Sequence, residues 1–415
     1  MKKFGDFLSY IISVYVFMLP ILPSKFKYKN IPFNADILLA AMIFICIVAI
    51  ALKKDIRNKF IHEIRKDFFK NLNSLFMFLW IAMMFISVSY ATDKNLALKE
   101  SLRISTYLFL FFIIKYYIIE RKMINRIMYS SIASAVIIGI IGIMQYCLGK
   151  GIKYYGGSEA VSRIISTMEN SNNLGAFFIL FLFPFIILFM KEKNIKKKLI
   201  FAFMLLIVLL NIVLSFSRNA WLAIIIGYIA LIFIYNFRLV YGIIIATPIA
   251  MIIPQISSRI KDIGNLSQNL SRLSLWEIAL KMIEDHKILG VGNGNYRTLY
   301  EEYYKKVKKI GYYKAHENFH PHNAFLKAQC ELGIIGSVSL VGFLVASLIK
   351  NNRFSNEVDN NFYKYFYKGF TASIVAFMFM NFIDNFFSAP KVVTFFFIFL
   401  ALSDSYSHNI QNKSL

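Results

Sequence analysis

The chain has 415 residues, 58% of them hydrophobic, with 42 Phe, 24 Tyr and a formal net charge of +24. Apolar runs of about 20 residues, the length that crosses a hydrocarbon core as a helix, recur throughout and exclude a soluble fold. The positive charge does not indicate nucleic acid: much of it lies in short loops between spans, where membrane orientation and anionic lipid account for it.

In chain order, the first run (7–22) follows Met-Lys-Lys without a small-residue cleavage site, so it reads as a retained span rather than a signal peptide. The hydropathy pattern predicts twelve spans, at 6–23, 36–52, 72–90, 102–119, 124–148, 174–190, 198–215, 219–235, 239–256, 326–349, 366–386 and 391–404. The expected fold is an all-α polytopic membrane protein, a single domain over 1–415. One long extracytoplasmic loop, 257–325, separates the ninth and tenth spans. Basic residues collect in Lys53 to Lys70, in the turn at 191–198 and in the linker at 350–368. All three fall on one side, which places both termini in the cytoplasm and the long loop outside.

Three short outer loops carry polar groups: Ala91-Thr-Asp93, the stretch Arg163 to Leu174, and Ser215-Phe-Ser217-Arg218-Asn-Ala-Trp221. Inside the long loop, Leu273, Trp276, Leu280 and Ile283 recur at helical spacing, as do Tyr296, Leu299, Tyr300, Tyr303 and Val307. They predict two amphipathic helices on the membrane face, with Gly290, Gly292 and Gly294 marking a tight turn between them. These glycines follow no strand, so they are not a dinucleotide fingerprint. Cys46, Cys147 and Cys330 are scattered in or beside apolar runs and form no redox or metal motif.

The loop ends in His316-Glu-Asn-Phe-His320-Pro-His322-Asn323, so half of the six histidines fall within seven residues. Zn²⁺ would need further ligands that no Cys or carboxylate pair supplies, and the expectation is no metal and no cofactor. Two readings stay open for His322: a structural residue at the head of a span, or a general base. Asp93 is a rival base, or an ordinary helix cap. Arg218 is either a snorkelling, topology-setting arginine or a diphosphate clamp. Arg272 has the same choice; with Ser271 as a helix cap it would lie in the first turn, where backbone amides and a guanidinium could share one anion. Arg163 is the weakest of the three.

Ser-Phe-Ser217-Arg218-Asn-Ala-Trp221, then Arg272-Leu-Ser-Leu-Trp276, then Gly290-Val-Gly-Asn-Gly294, then His320-Pro-His322-Asn323 resemble, in this order, the O-antigen ligase and polymerase family. From His322 to Gly336 the chain shows His-Asn, nine residues, then Gly333-x-x-Gly336, similar to the ligase signature. The stretch from Arg163 through Asn172 also resembles the family, although Ser171 stands where proline is usual. The resemblance implies a metal-independent, inverting GT-C-type glycosyltransferase at the bacterial inner membrane, with its site on the outer face. Its donor would be an undecaprenyl diphosphate-linked glycan and its acceptor a hydroxyl on lipid A core oligosaccharide. A polymerase would instead use a lipid-linked acceptor. The resemblance assigns the base to His322 and donor binding to Arg218, Arg272 and Arg163. Asn323, His320, Trp276, Asn172, Gly333 and Gly336 support them. The partners implied are glycan donor, acceptor and membrane lipids. A flippase or transporter, the rival class, predicts internal repeats and mid-membrane charges, and neither is seen in the sequence.

Overall fold

A computed structural model describes residues 2–23, 27–28, 31–32, 35–155, 160–242, 266–307 and 319–409. Its helices are α1 (Lys2–Ile21), α2 (Ala35–Leu52), α3 (Lys54–Lys70), α4 (Leu72–Tyr90), α5 (Lys94–Tyr117), α6 (Arg121–Cys147), α7 (Ser171–Lys191), α8 (Ile195–Leu214) and α9 (Arg218–Ile234). They continue with α10 (Leu266–Asp285), α11 (Tyr296–Val307), α12 (Ala324–Glu357), α13 (Asn361–Ile383) and α14 (Pro390–Asn409). Two short antiparallel hairpins pair Lys27–Tyr28 with Ile31–Pro32 and Ile152–Tyr155 with Ala160–Arg163.

Among the described residues, seven helices (α1, α4, α6, α7, α8, α12 and α13) are long and apolar enough to span a membrane. The pair α2 and α3 adds an eighth only across a 102° bend, and α9 is a shorter apolar helix. The protein is therefore an all-α polytopic membrane protein. Helices α5 and α14 stand where the fourth and twelfth spans are expected, but Glu100, Arg103 and Lys115 interrupt one and Lys391 and Asp404 the other. Most of the expected ninth span, 239–256, lies outside the described residues.

Helix α7 is the centre of the bundle. Phe177, Phe178, Phe181, Phe183 and Phe185 are all buried, and they meet the phenylalanines of α14, with ring centroids 4.9 Å apart for Phe177 and Phe395 and 5.3 Å for Phe181 and Phe399. With no hydrophobic drive between helices in lipid, such close ring packing holds the bundle. The three basic segments gather at one end, where α3, the α7–α8 turn and the α12–α13 linker lie. There α3 is pinned by its buried Asp67, which accepts hydrogen bonds from Lys115 and, at 2.6 Å, from the Tyr116 hydroxyl. Asp404 lies 3.4 Å from Lys115 and 2.6 Å from Lys350, which completes a neutral buried network of two lysines and two aspartates.

At the opposite end α10 and α11 build a second small core. Leu275, Ile278, Ala279 and Met282 pack against Tyr296, Tyr300, Tyr303 and Cys330. The stripe expected on α10 is rotated: Leu273 and Leu280 are exposed, and the residues beside them face this core. The face expected on α11 is the one buried.

Candidate active site

Three glycines join the loop helices to the bundle. Gly290, Gly292 and Gly294 all have positive φ (74°, 100° and 75°), as a tight turn requires. Helix α12 breaks at Gly333, with φ 65° and ψ −164°, and the break frees carbonyls that the turn uses. Val291 N–H donates to Cys330 O and Gly292 N–H to Glu331 O, both at 2.9 Å, and Ile334 N–H returns to Ile288 O at 3.2 Å. A Cβ on Gly333 would lie 1.9 Å from the Ile288 carbonyl oxygen, so only glycine fits. The buried Glu331 carboxylate accepts from Gly294 N–H (2.8 Å), Tyr296 N–H (3.3 Å) and Lys327. Gly336 gives its space to the Leu332 side chain.

Between this junction and the starts of α7 and α12 lies a cavity of about 540 Å³. His320, His322, Asn172 and Asp384 line it, together with Lys99, Arg103, Arg297 and Lys327. His322 has a left-handed backbone, φ 48°, a conformation that costs a non-glycine residue on the order of 1 kcal/mol and is kept where the surroundings dictate it. Its own N–H donates to His320 Nδ1 at 3.0 Å. Its ring Nδ1 lies 2.9 Å from Asp384 Oδ1.

Asp384 is the residue that sequence reasoning missed. The expected eleventh span runs to 386, but α13 ends at Ile383 and Asp384 turns extended as its C-cap. A carboxylate at the end of an apolar run is itself a signal, because ionisable groups there carry function or pairing. The carbonyl of Asp384 accepts the first N–H of α12, from Ala324, at 3.2 Å. Its Oδ1 also takes Asn385 N–H at 2.9 Å, and its Oδ2 takes Asn172 Nδ2 at 3.4 Å. Burial by itself would raise this carboxyl. The His322 hydrogen bond and the charges of His322, His320 and Arg272 outweigh burial and hold it down to about 2. An ionised carboxylate only accepts, so it is His322 Nδ1 that donates to Asp384.

Asn172 joins the arginine side to this pair. Its Oδ1 accepts from Ser217 Oγ at 3.0 Å and from Arg163 Nη2 at 3.4 Å, while Arg163 Nε donates to Ser215 O at 3.0 Å. Ser217 also caps α9, which makes Arg218 the first residue of that helix. Neither Arg218 nor Arg272 lines the cavity, although Arg272 stands near enough to act on Asp384.

Two expectations change, and of the two readings of Asp93 the cap is the one seen. Helix α10 begins at Leu266, so Ser271 is no N-cap and Arg272 lies beyond the first turn, out of reach of a shared anion at the helix N-terminus. Asn323 does not orient His322; its Oδ1 caps α12 by accepting Phe325 and Leu326 N–H at 3.0 Å. Asp93 is an N-cap, accepting Leu96 N–H at 2.9 Å. Trp276 Nε1 is buried without a hydrogen-bond partner among the described residues, and His316 lies outside them.

Asp384 also supplies the carboxylate that the metal argument lacked. His320, His322 and Asp384 each offer one donor atom within 4.8 Å of the others. Two of these donors already satisfy each other at 2.9 Å, and His320 Nδ1 is engaged by the His322 N–H. The trio is thus already engaged in hydrogen bonds, while two imidazoles and one carboxylate are also the three protein ligands that an open zinc site uses.

No curated protein matches the chain. A family model described as O-Antigen ligase matches residues 201–341, from the first turns of α8 into α12, a stretch that holds Arg218, Arg272, His320, His322, Gly333 and Gly336. The match spans about a third of the chain, and over this segment, where the motifs build the site, the protein is similar to O-antigen ligases.

Proposed function

We propose that the protein is an inverting, metal-independent glycosyltransferase at the bacterial inner membrane. It moves a glycan from undecaprenyl diphosphate to an acceptor hydroxyl on the outer face, the acceptor being lipid A core oligosaccharide. The observation that carries this reading is the His322–Asp384 pair on the wall of the cavity. Asp384 fixes the tautomer, so His322 Nε2 takes the proton of the acceptor hydroxyl as that oxygen attacks the anomeric carbon. The diphosphate leaves from the opposite face of the sugar. Arg218 and Arg272 bind it, with Arg163 holding Asn172 behind Asp384, and fixed guanidinium groups stabilise the charge that develops.

In this orientation the basic end of the bundle is cytoplasmic and the cavity faces outward. Twelve spans, as the hydropathy pattern predicts, keep both termini inside. A repeat-unit polymerase is the second reading, supported by the cations Lys99, Arg103, Arg297 and Lys327 that line the cavity. The flippase reading gains nothing from a cavity walled at one end of the bundle. The test is transfer of a labelled lipid-linked glycan by His322→Ala and His320→Ala. His322→Ala should insert and bind donor yet transfer little, with His320→Ala milder; normal transfer by His322→Ala would remove the base.

A further inference from the structure

Helix α3 takes no part in the proposed chemistry, and its two faces are built for different neighbours. It follows α2 across a 102° bend and leads into α4, so it runs across the ends of these two apolar helices instead of along them. Its 17 residues extend for about 25 Å.

The inward face is fixed to the bundle. Ile56 and Asp67 are buried, the Tyr117 hydroxyl donates to Ile56 O at 2.8 Å, and Glu63 Oε2 lies 3.1 Å from His408 Nε2. Two of the three acids of α3, Glu63 and Asp67, are thereby turned toward partners on other helices, and Asp55 alone is exposed. Lys54, Arg65, Lys66 and Lys70 are exposed and join no ion pair among the described residues. The outward surface is also apolar in part. Ile61, Phe68 and Phe69 are exposed, Phe69 by 74%, and Arg65 stands one turn from both Ile61 and Phe69. Exposed leucines continue this surface past both ends of the helix, Leu52 at the close of α2 and Leu72 at the start of α4.

Bulk water disfavours the phenylalanines and a hydrocarbon core disfavours the four cations, whereas the boundary between them suits both. We propose that α3 lies in the headgroup layer at the basic end of the bundle and binds the phosphates of anionic phospholipids there. Ile61, Phe68 and Phe69 enter the acyl boundary, and Lys54, Arg65, Lys66 and Lys70 meet the phosphate oxygens. The bend and the inward pairing of the acids carry this inference, which depends neither on the glycosyltransferase reading nor on the orientation of the bundle.

The test places a reporter on the face itself. Full-length protein carrying Phe69→Trp is reconstituted in phosphatidylcholine vesicles with a brominated lipid, either phosphatidylcholine or phosphatidylglycerol, at the same mole fraction. Quenching of the parent protein, which has Trp80, Trp221 and Trp276, is subtracted. Both lipids should quench Trp at 69, and phosphatidylglycerol should do so with an apparent affinity about fivefold higher or more. Adding Lys54→Gln, Arg65→Gln, Lys66→Gln and Lys70→Gln should abolish that preference, and high salt should shrink it. Thermal unfolding checks the fold, and Ile61→Trp serves as a second reporter. No quenching at either reporter would place the face in water, free for a soluble partner, and overturn the proposal. Equal quenching by the two lipids, or a preference kept by the glutamine variant, overturns it as well.

Discussion

Replacing Asp384 by asparagine is the sharpest perturbation the site allows. The amide keeps the shape of the side chain and leaves the backbone bond from Ala324 N–H to the 384 carbonyl in place. What it removes is a charged acceptor 2.9 Å from His322 Nδ1. Without that acceptor the imidazole is free to hold its proton on Nε2, where it cannot act as a base. A positioned general base is worth about 10² to 10⁴ in rate, or about 3 to 5 kcal/mol of barrier. The lost hydrogen bond costs folding on the order of 1 to 3 kcal/mol at most. Asp384→Asn should thus insert and unfold near the wild-type temperature, bind donor with an unchanged KM, and lose kcat by two to four orders of magnitude. The assay is transfer of a labelled lipid-linked glycan in detergent, normalised to folded protein. Transfer within threefold of wild type would refute the pair. Asp384 also sets a pH limit. Its folded value is depressed, so its contribution is complete above the ordinary carboxylate range and is lost only as pH falls through about 2. Any loss of activity between pH 5 and pH 7 must then come from another group, and Asp384→Glu should keep that limb.

Arg218→Lys and Arg272→Lys keep the charge but lose the bidentate fork; each should weaken transfer by about 3 kcal/mol of barrier at normal expression, and near wild-type rates would return them to topology. Transfer should proceed in EDTA, and loss in chelator with rescue by Zn²⁺ would instead make His320, His322 and Asp384 a metal site. Lys115→Met strands the buried Asp67 carboxylate and should destabilise the fold by about 3 kcal/mol, read by thermal unfolding, while transfer per folded molecule holds. A cysteine at exposed Glu284 should be labelled from outside intact cells and one at Lys193 should not; the reverse pattern inverts the orientation.

Much of this was legible because membrane burial writes long apolar runs into the chain, and the helices stand where those runs are. What was hidden depends on contacts between distant segments. The 62-residue separation of His322 and Asp384 carries no periodicity that joins them, and an aspartate closing an apolar run is easily absorbed into the span. Arg272 was misjudged for a local reason. Ser271 is a good cap residue, but nothing breaks the helix before it, and six residues from Leu266 onward stay helical. The α10 stripe was misread because that helix has apolar residues on two sides, one against the Tyr296 and Tyr300 core and one exposed.

The signature itself has a mechanical meaning. His322 and Asn323 stand together because the asparagine caps α12 while the histidine takes the left-handed turn just before it. From there about two and a half turns of helix carry the chain to Glu331 and Gly333. The break at Gly333 bares the Cys330 and Glu331 carbonyls, the glycine turn binds them, and the Glu331 side chain seats Gly294 and Tyr296. A shift of one residue in that spacing would rotate Glu331 by about 100° and leave both the turn and the Lys327 ammonium without their partner. The spacing therefore fixes the distance between the base and the wall that carries Arg297. Substituting Gly333 should for that reason damage the folding of the loop helices, not the His322–Asp384 pair.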